Sequence, residues 1–497
     1  MAGIWEVLTA LLVGFLILDF GKLLWSSRRY PPGPLPFPFI GGLWQTGTKL
    51  SIDMFTKLRK KYGDIYTIWL WRKPIVVISG FHAMKESVIN HSQDFADRPL
   101  SSFLLKMSKG KGVSFSNGHN WRQQRRFTLT ALRTLGVGKK DMESKIEQVT
   151  HQLVETFAHT KGQPIDPFPL VMSSVCNMVC LLTLGYCFSP EDPKFQMILE
   201  DISNYTKFGD SVFLLLNDLF PWLMEHLPGP HQKIQELIKK DLLIIKEEAE
   251  KHSQGLAQRQ PKDILDLYLL EIEKKHGEPN STFDNGNMAH SILELFFAGT
   301  ETTASFLQWA LFFMMVYPDI QDKVYKEMET VLGSCDSVCY EDRWKLPYTH
   351  AVVQEILRLK YVLLFSIPRQ TVTNVNTCGL FIPKGTFILM DVYSVLHDPK
   401  QWEKPEEFNP NHFLDKDGNF MKREEFMPFG AGARVCVGET LAKMESFLFF
   451  TNLLRTFKLQ QPEGAEEPSQ EPLIGVILHP RPFKICAVPR SGHPKID

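Results

Sequence analysis

The sequence predicts a mainly α-helical fold with small β-sheets and an N-terminal transmembrane helix. Three observations predict it: helical spacing of apolar residues through most of the chain, short β-branched and aromatic runs, and an apolar stretch at the N-terminus. With 44% hydrophobic and 22% charged residues and a net charge of −1, the chain fits a large packed core and offers no basic surface for nucleic acid. The 497 residues suggest several domains, yet that bound is soft. The expected organisation is an anchor over 1–25, a Pro/Gly-rich hinge over 26–42 and one large domain over 43–497. The eight cysteines lack the C-x-x-C spacings of zinc or redox sites. Cys176 and Cys180 fall in an apolar run and read as core, whereas Cys335 and Cys339 read as loop residues.

From Ile4 to Leu18 only Glu6 is charged, and the apolar character continues to Trp25, about the 20 residues a membrane span needs. Lys22, Arg28 and Arg29 follow it, so the positive-inside rule leaves the rest of the chain in the cytoplasm. A cleaved signal peptide would need a basic leading segment and a small-x-small site, and neither is found. Pro31 to Pro38 is too proline-rich for helix or sheet and reads as a stiff extended spacer. Residues 65–70 and 75–78 read as a hairpin across Trp71–Pro74. A second hairpin is expected around Pro383-Lys384-Gly385, with Thr386 to Met390 on its far arm. Ile234, Leu237, Ile238, Leu242, Ile245 and Ala249 recur at helical steps between Lys and Glu, predicting an amphipathic surface helix.

The remaining stretches carry chemistry. In Phe426–Glu439 the glycines at 430, 432 and 438 permit positive φ, so that backbone N–H groups can turn toward the Cys436 sulfur. A sulfur so placed, just before a helix N-terminus, is held more easily as thiolate. Arg434 adds a cation suited to a carboxylate. Taken alone, a cysteine after a glycine-rich turn is more often a small buried hydrophobe. Trp121 and Arg125 lie one helical turn apart, which by itself reads as a solvated basic face. Thr300, Glu301, Thr302 and Thr303 interrupt an apolar run from Ile292 to Val316. Hydroxyls and an acid there are costly unless satisfied, by their own backbone or by a ligand, and for Thr300 and Thr303 self-bonding is expected. Glu355 and Arg358 are spaced to pair along one helical edge.

The spacing of Phe429, Gly432, Arg434, Cys436 and Gly438 resembles the haem-binding loop of the cytochrome P-450 superfamily, and the other stretches follow in the family's order, nearest its microsomal family-two members. The resemblance covers nearly the whole chain and implies the haem-thiolate fold. It implies Cys436 as axial ligand of haem b iron, with Phe429 and Arg434 in the haem loop and Arg98, Trp121, Arg125 and Arg369 holding the propionates. It implies Glu301 and Thr302 as the acid and alcohol that relay protons. Glu355, Arg358 and His412 would form the structural network, with His412 where the family usually has arginine and protonation-sensitive there. By family position the apolar pocket is lined by Phe103, Leu104, Phe115, Leu293, Phe296, Phe297, Ala298, Val362, Leu364, Ile474 and Val476. The run Lys360–Phe365 departs from the usual pattern, so substrate inference at that wall is open.

The implied reaction inserts one oxygen atom from O2 into a lipophilic substrate such as a fatty acid, steroid or xenobiotic, by hydroxylation or epoxidation. No Gly-x-Gly-x-x-Gly follows a strand, so electrons must come from outside. The resemblance implies NADPH by way of NADPH–cytochrome reductase, with cytochrome b5 as a further partner, in the endoplasmic reticulum membrane with the large domain cytosolic. A basic patch of Arg126, Lys139, Lys140, Lys422 and Arg423 is the expected reductase surface. Phe220–Met224 is expected as a second membrane contact. Two other readings stay open at this point: a haem-thiolate isomerase or dehydratase needing no external electrons, and a non-catalytic haem sensor.

Overall fold

The computed structural model describes residues 2–37, 41–42, 51–99, 102–333, 337–363 and 365–490. Pro38, the start of the large domain at 43, Cys335, Leu364 and the Leu104 side chain lie outside the described residues. In chain order the elements used below are α1 (Ala2–Ser27), β1 (Ile65–Leu70), β2 (Lys73–Ser79), α2 (Gly118–Thr134) and α3 (Phe168–Thr183). There follow α4 (Pro193–Gly209), α5 (Pro230–Ser253), α6 (Asn285–Val316), α7 (Pro347–Leu359), β3 (Arg369–Gln370), β4 (Val375–Thr377), β5 (Leu380–Ile382) and β6 (Phe387–Asp391). Last come α8 (Glu439–Thr456), β7 (Phe457–Gln460), β8 (Pro472–Leu473) and β9 (His479–Pro480). The fold is mainly α with small sheets, as predicted. The chain groups into two compact units, one of residues 1–99, 365–402 and 425–436, the other of residues 100–364, 403–424 and 437–497.

The first unit is built on a four-stranded sheet in the order β1-β2-β6-β3. Its β1–β2 hairpin is the one expected, with Ile65 opposite Ile78 and Leu70 opposite Lys73. The second expected hairpin is corrected: β6 does not pair back across Pro383–Gly385 but runs parallel to β2, with Ile75 opposite Phe387. The hairpin in that region is instead β4–β5, turning at Cys378-Gly379. The apolar Ile388–Met390 run is buried on both faces, and only an internal position in the larger sheet provides that cover. Phe55, Leu58, Tyr66, Ile68, Val77 and Leu389 form the core on one side of this sheet.

Helix α1 is long and apolar enough to cross a membrane, and it runs two residues past the expected limit at Trp25. Its last turns are packed: Asp19 pairs with Arg72, Leu23 is buried and Phe20 stacks on Phe37. The proline run is pinned to the first strand of the sheet. Thr67 in β1 donates its N–H to the Pro32 carbonyl (2.9 Å) and its hydroxyl to the Pro31 carbonyl (2.8 Å). A side chain at Gly33 would fall 1.9 Å from the Thr67 oxygen, so only glycine permits this contact.

The second unit is helical and centred on α6. Asp284 caps α6 by accepting the Asn287 N–H (2.8 Å), which fixes where its 32 residues begin. Every side chain from Thr303 to Met315 is buried, so this apolar run is a core helix. A Cβ on Gly299 would lie 2.9 Å from Val179 of α3, so glycine sets how closely the two helices pack. Helix α5 is amphipathic as expected, burying Ile234, Ile238, Ile245 and Ala249.

Candidate functional site

In the first unit the loop before α8 is tied by Cys436 N–H donating to the Phe429 carbonyl (3.0 Å). Gly430 (φ 74°) and Gly432 (φ 69°) occupy the left-handed region. A Cβ on Gly432 would fall 2.1 Å from the Val88 carbonyl, so the loop is seated where only glycine fits. The expectation for Gly438 is corrected: its φ is −90°, because it serves as N-cap of α8 and needs no left-handed turn. Cys436 is exposed rather than packed, unlike the bland alternative of a small core residue.

Around this loop three arginines are buried, Arg98, Arg369 and Arg434, at 7%, 2% and 7% exposure. Arg98 donates to the carbonyls of Ile367 (2.6 Å) and Pro368 (2.8 Å), Arg369 to that of Ala431 (2.6 Å) and Arg434 to that of Ala96 (2.6 Å). These bonds stitch three segments together and concentrate positive charge. Burying guanidinium groups is costly without anions, so the donor set suits a ligand carrying carboxylates, and the residues present fit haem.

In the second unit Trp121 is buried and Arg125 is half-buried one turn along α2. The expected network is assembled: Arg358 grips Glu355 through Nε (2.7 Å) and Nη2 (2.8 Å), both side chains fully buried. His412 Nδ1 meets Glu355 Oε1 at 3.1 Å and its Nε2 meets the Glu403 carbonyl at 2.6 Å. Both ring nitrogens therefore face oxygen atoms.

On α6 Ala298 is exposed and Thr302, one turn on, is half-buried, so this stripe is open whereas every side chain from Thr303 to Met315 is buried. Glu301 is 4% exposed. Its Oε1 lies 3.3 Å from His479 Nε2, while its buried Oε2 has no hydrogen-bond partner among the described residues. The expectation for the hydroxyls is corrected. It is Thr302 that donates to its own helix, at the Ala298 carbonyl (2.7 Å), the usual back-bond of a threonine within a helix. Thr300 Oγ1 has no partner among the described residues, and the Thr303 hydroxyl bonds Glu445 of α8.

Glu445 is wholly buried, and that burial pushes its carboxyl up to about 8. The folded protein therefore holds a proton there that the unfolded chain releases above its ordinary value of 4.5. Stability contributed by this group is present at low pH and falls by roughly 1.4 kcal/mol per unit between those limits. Glu445→Gln should remove that slope and make the protein more stable near pH 8, as read by urea unfolding across the pH range.

Among the expected pocket residues Phe103 is core, its ring 4.7 Å from that of Phe208 beside Ile234 and Ile238, with Leu293 packed against them. Phe296 is buried, and Phe297 is half-buried with its ring 6.4 Å from Tyr205. Phe115 is half-buried in a loop whose Val113 and Ser114 N–H groups donate to Glu294 Oε2 (2.6 and 2.8 Å). Half-buried Val362 accepts the Leu478 N–H at its carbonyl (2.8 Å). Ile474 and Val476 are exposed, on a loop that Asp210 holds by accepting the Val476 N–H. Sequence reasoning missed Glu294, His479 and Glu445. Glu294 could have been found as an acid in an apolar helix, whereas the other two belong to no motif. Arg126, Lys139, Lys140 and Lys422 are exposed, and half-buried Arg423 donates to the His412 carbonyl (3.4 Å). Phe220, Trp222 and Leu223 are exposed, whereas Met224 is buried.

Residues 31–487 match the family model described as cytochrome P450. The chain is similar to cytochrome P450 2C39 of Mus musculus, 38% identical over 96% of this chain and 100% of the relative. It is 38% identical to cytochrome P450 2J2 of Homo sapiens over 98% of both. It is 37% identical to cytochrome P450 2B4 of Oryctolagus cuniculus, over 98% of this chain and 97% of the relative.

Proposed function

The chain belongs to the cytochrome P450 family of haem b monooxygenases, and from that premise we propose which of its residues do the work. Cys436 would bind the haem iron as thiolate, Phe429 and Arg434 would complete its loop, and Arg98, Arg369, Trp121 and Arg125 would hold the haem carboxylates. A thiolate-bound haem supplies the electron push that favours O–O cleavage. Glu301 and Thr302 deliver protons. The observation that carries this reading is the buried Glu301 oxygen left without a partner next to a threonine on the open stripe of α6. A buried carboxylate oxygen so placed is costly to the fold and suited to exchanging a proton.

The substrate is lipophilic, a fatty acid, steroid or xenobiotic that undergoes hydroxylation or epoxidation, and it meets the aromatic wall at Phe297 and Phe115. Electrons come from NADPH through a separate reductase. Arg126, Lys139, Lys140, Lys422 and Arg423 form its docking surface, and cytochrome b5 is a further partner. Helix α1 anchors the protein in the endoplasmic reticulum membrane with the body on the cytosolic side, and exposed Trp222 makes a second membrane contact.

The test is turnover of the full chain with reductase, NADPH and a panel of lipids. Glu301→Gln and Thr302→Ala should each lower product formed per NADPH consumed, by about 100-fold for the loss of a positioned proton donor. Charge reversal of the basic patch should weaken reductase-supported turnover and its salt dependence. Undiminished coupling in Glu301→Gln would refute the proton role, and undiminished turnover after charge reversal would refute the surface.

A further inference from the structure

The β8–β9 hairpin is bolted to α6 at its second strand. Ser305 Oγ (2.8 Å) and Trp309 Nε1 (2.9 Å) both donate to the Leu478 carbonyl, so the next residue, His479, has a fixed place. Its ring stands edge-on to Phe168 of α3, centroids 5.3 Å apart. Its Nδ1 lies 3.3 Å from Gln308 Oε1 and its Nε2 lies 3.3 Å from Glu301 Oε1. With the Gln308 amide turned so that its oxygen meets the ring, Nδ1 carries a hydrogen and donates to it. Nε2 and Glu301 Oε1 are then two acceptors facing one another, and their contact is attractive only with a proton between them. Asp210, at the C-cap of α4, acts electrostatically on both His479 and Glu301. It also accepts the Val476 N–H three residues before His479. The groups facing the imidazole are thus Glu301 and Gln308 of α6, Phe168 of α3 and, at longer range, Asp210.

We propose that His479 is a positioning residue that pins Glu301 by its Oε1 and keeps a proton on that contact, leaving Oε2 as the oxygen that exchanges protons beside Thr302. This rests on the reading of Glu301 given above. Leu478 is held by α6 and Val476 by Asp210 of α4, so the hairpin sets where the imidazole meets the relay acid.

Two measurements on the full-length holoprotein decide it. The first is a double-mutant cycle of Glu301→Gln and His479→Phe on urea unfolding, with His479→Asn as a second variant that keeps a donor. The expected coupling is roughly tenfold in the unfolding equilibrium, and additive effects overturn the proposal. The second is turnover with linoleate as probe substrate. His479→Phe should cut product per NADPH about tenfold and displace the pH profile, His479→Asn should restore part of it, and adding His479→Phe to Glu301→Gln should change nothing further. If Glu301→Gln leaves coupling intact, the reading of Glu301 fails. If Glu301→Gln uncouples the enzyme while His479→Phe leaves both coupling and pH profile unchanged, this proposal alone fails.

Discussion

Replacing Cys436 by alanine should abolish NADPH-supported turnover and remove the thiolate signature from the spectrum of the reduced carbon-monoxide complex, while the protein still folds. The reasoning is local. The Cys436 side chain is exposed, so its removal leaves no cavity, and the loop is held by the Cys436 N–H bond to Phe429 and by the close fit of Gly432 at Val88. None of these uses the sulfur. Far-ultraviolet circular dichroism and the melting of the haem-free chain should therefore match the parent protein. A variant that keeps the parent spectrum would show that another atom binds the iron.

Arg358→Met should be the most destabilising single change in the second unit, costing about 3–5 kcal/mol in urea unfolding. Both members of the Glu355–Arg358 pair are fully buried, and Glu355 also receives the Asn409 N–H (3.0 Å) and His412 Nδ1. Removing the guanidinium leaves a buried carboxylate with too few donors. It also frees the Pro405 carbonyl, which Arg358 Nη2 holds at 2.9 Å. Arg358→Lys should recover little, because a single ammonium cannot reproduce the two-pronged grip. Combining Arg358→Met with Glu355→Gln should be milder than the single change. Equal losses in the single and double variants would locate the effect in packing instead.

Features carried by contiguous residues are legible in the sequence itself. The Cys436 loop, the Trp121–Arg125 turn and the Glu355–Arg358 edge each lie within a dozen residues, where backbone geometry follows from spacing. The β1–β2 hairpin is legible for the same reason. What escapes a reading of the sequence is non-local. The strand at Phe387–Asp391 has the right composition, but its partner is β2, and no nearby residue announces a parallel neighbour. Glu301 meets His479, and Thr303 meets Glu445, only because α6 packs against elements from the end of the chain. The hydroxyls follow the same rule: whether a threonine in a helix bonds its own backbone depends on what faces it, and the neighbour of Thr303 is a carboxylic acid.

The bonds from Thr67 to the carbonyls of Pro31 and Pro32 fasten the stiff segment after α1 to the sheet. With Asp19 also clasped by Arg72, helix and sheet tilt together. Whatever turns the last turns of α1 therefore turns the strands with it.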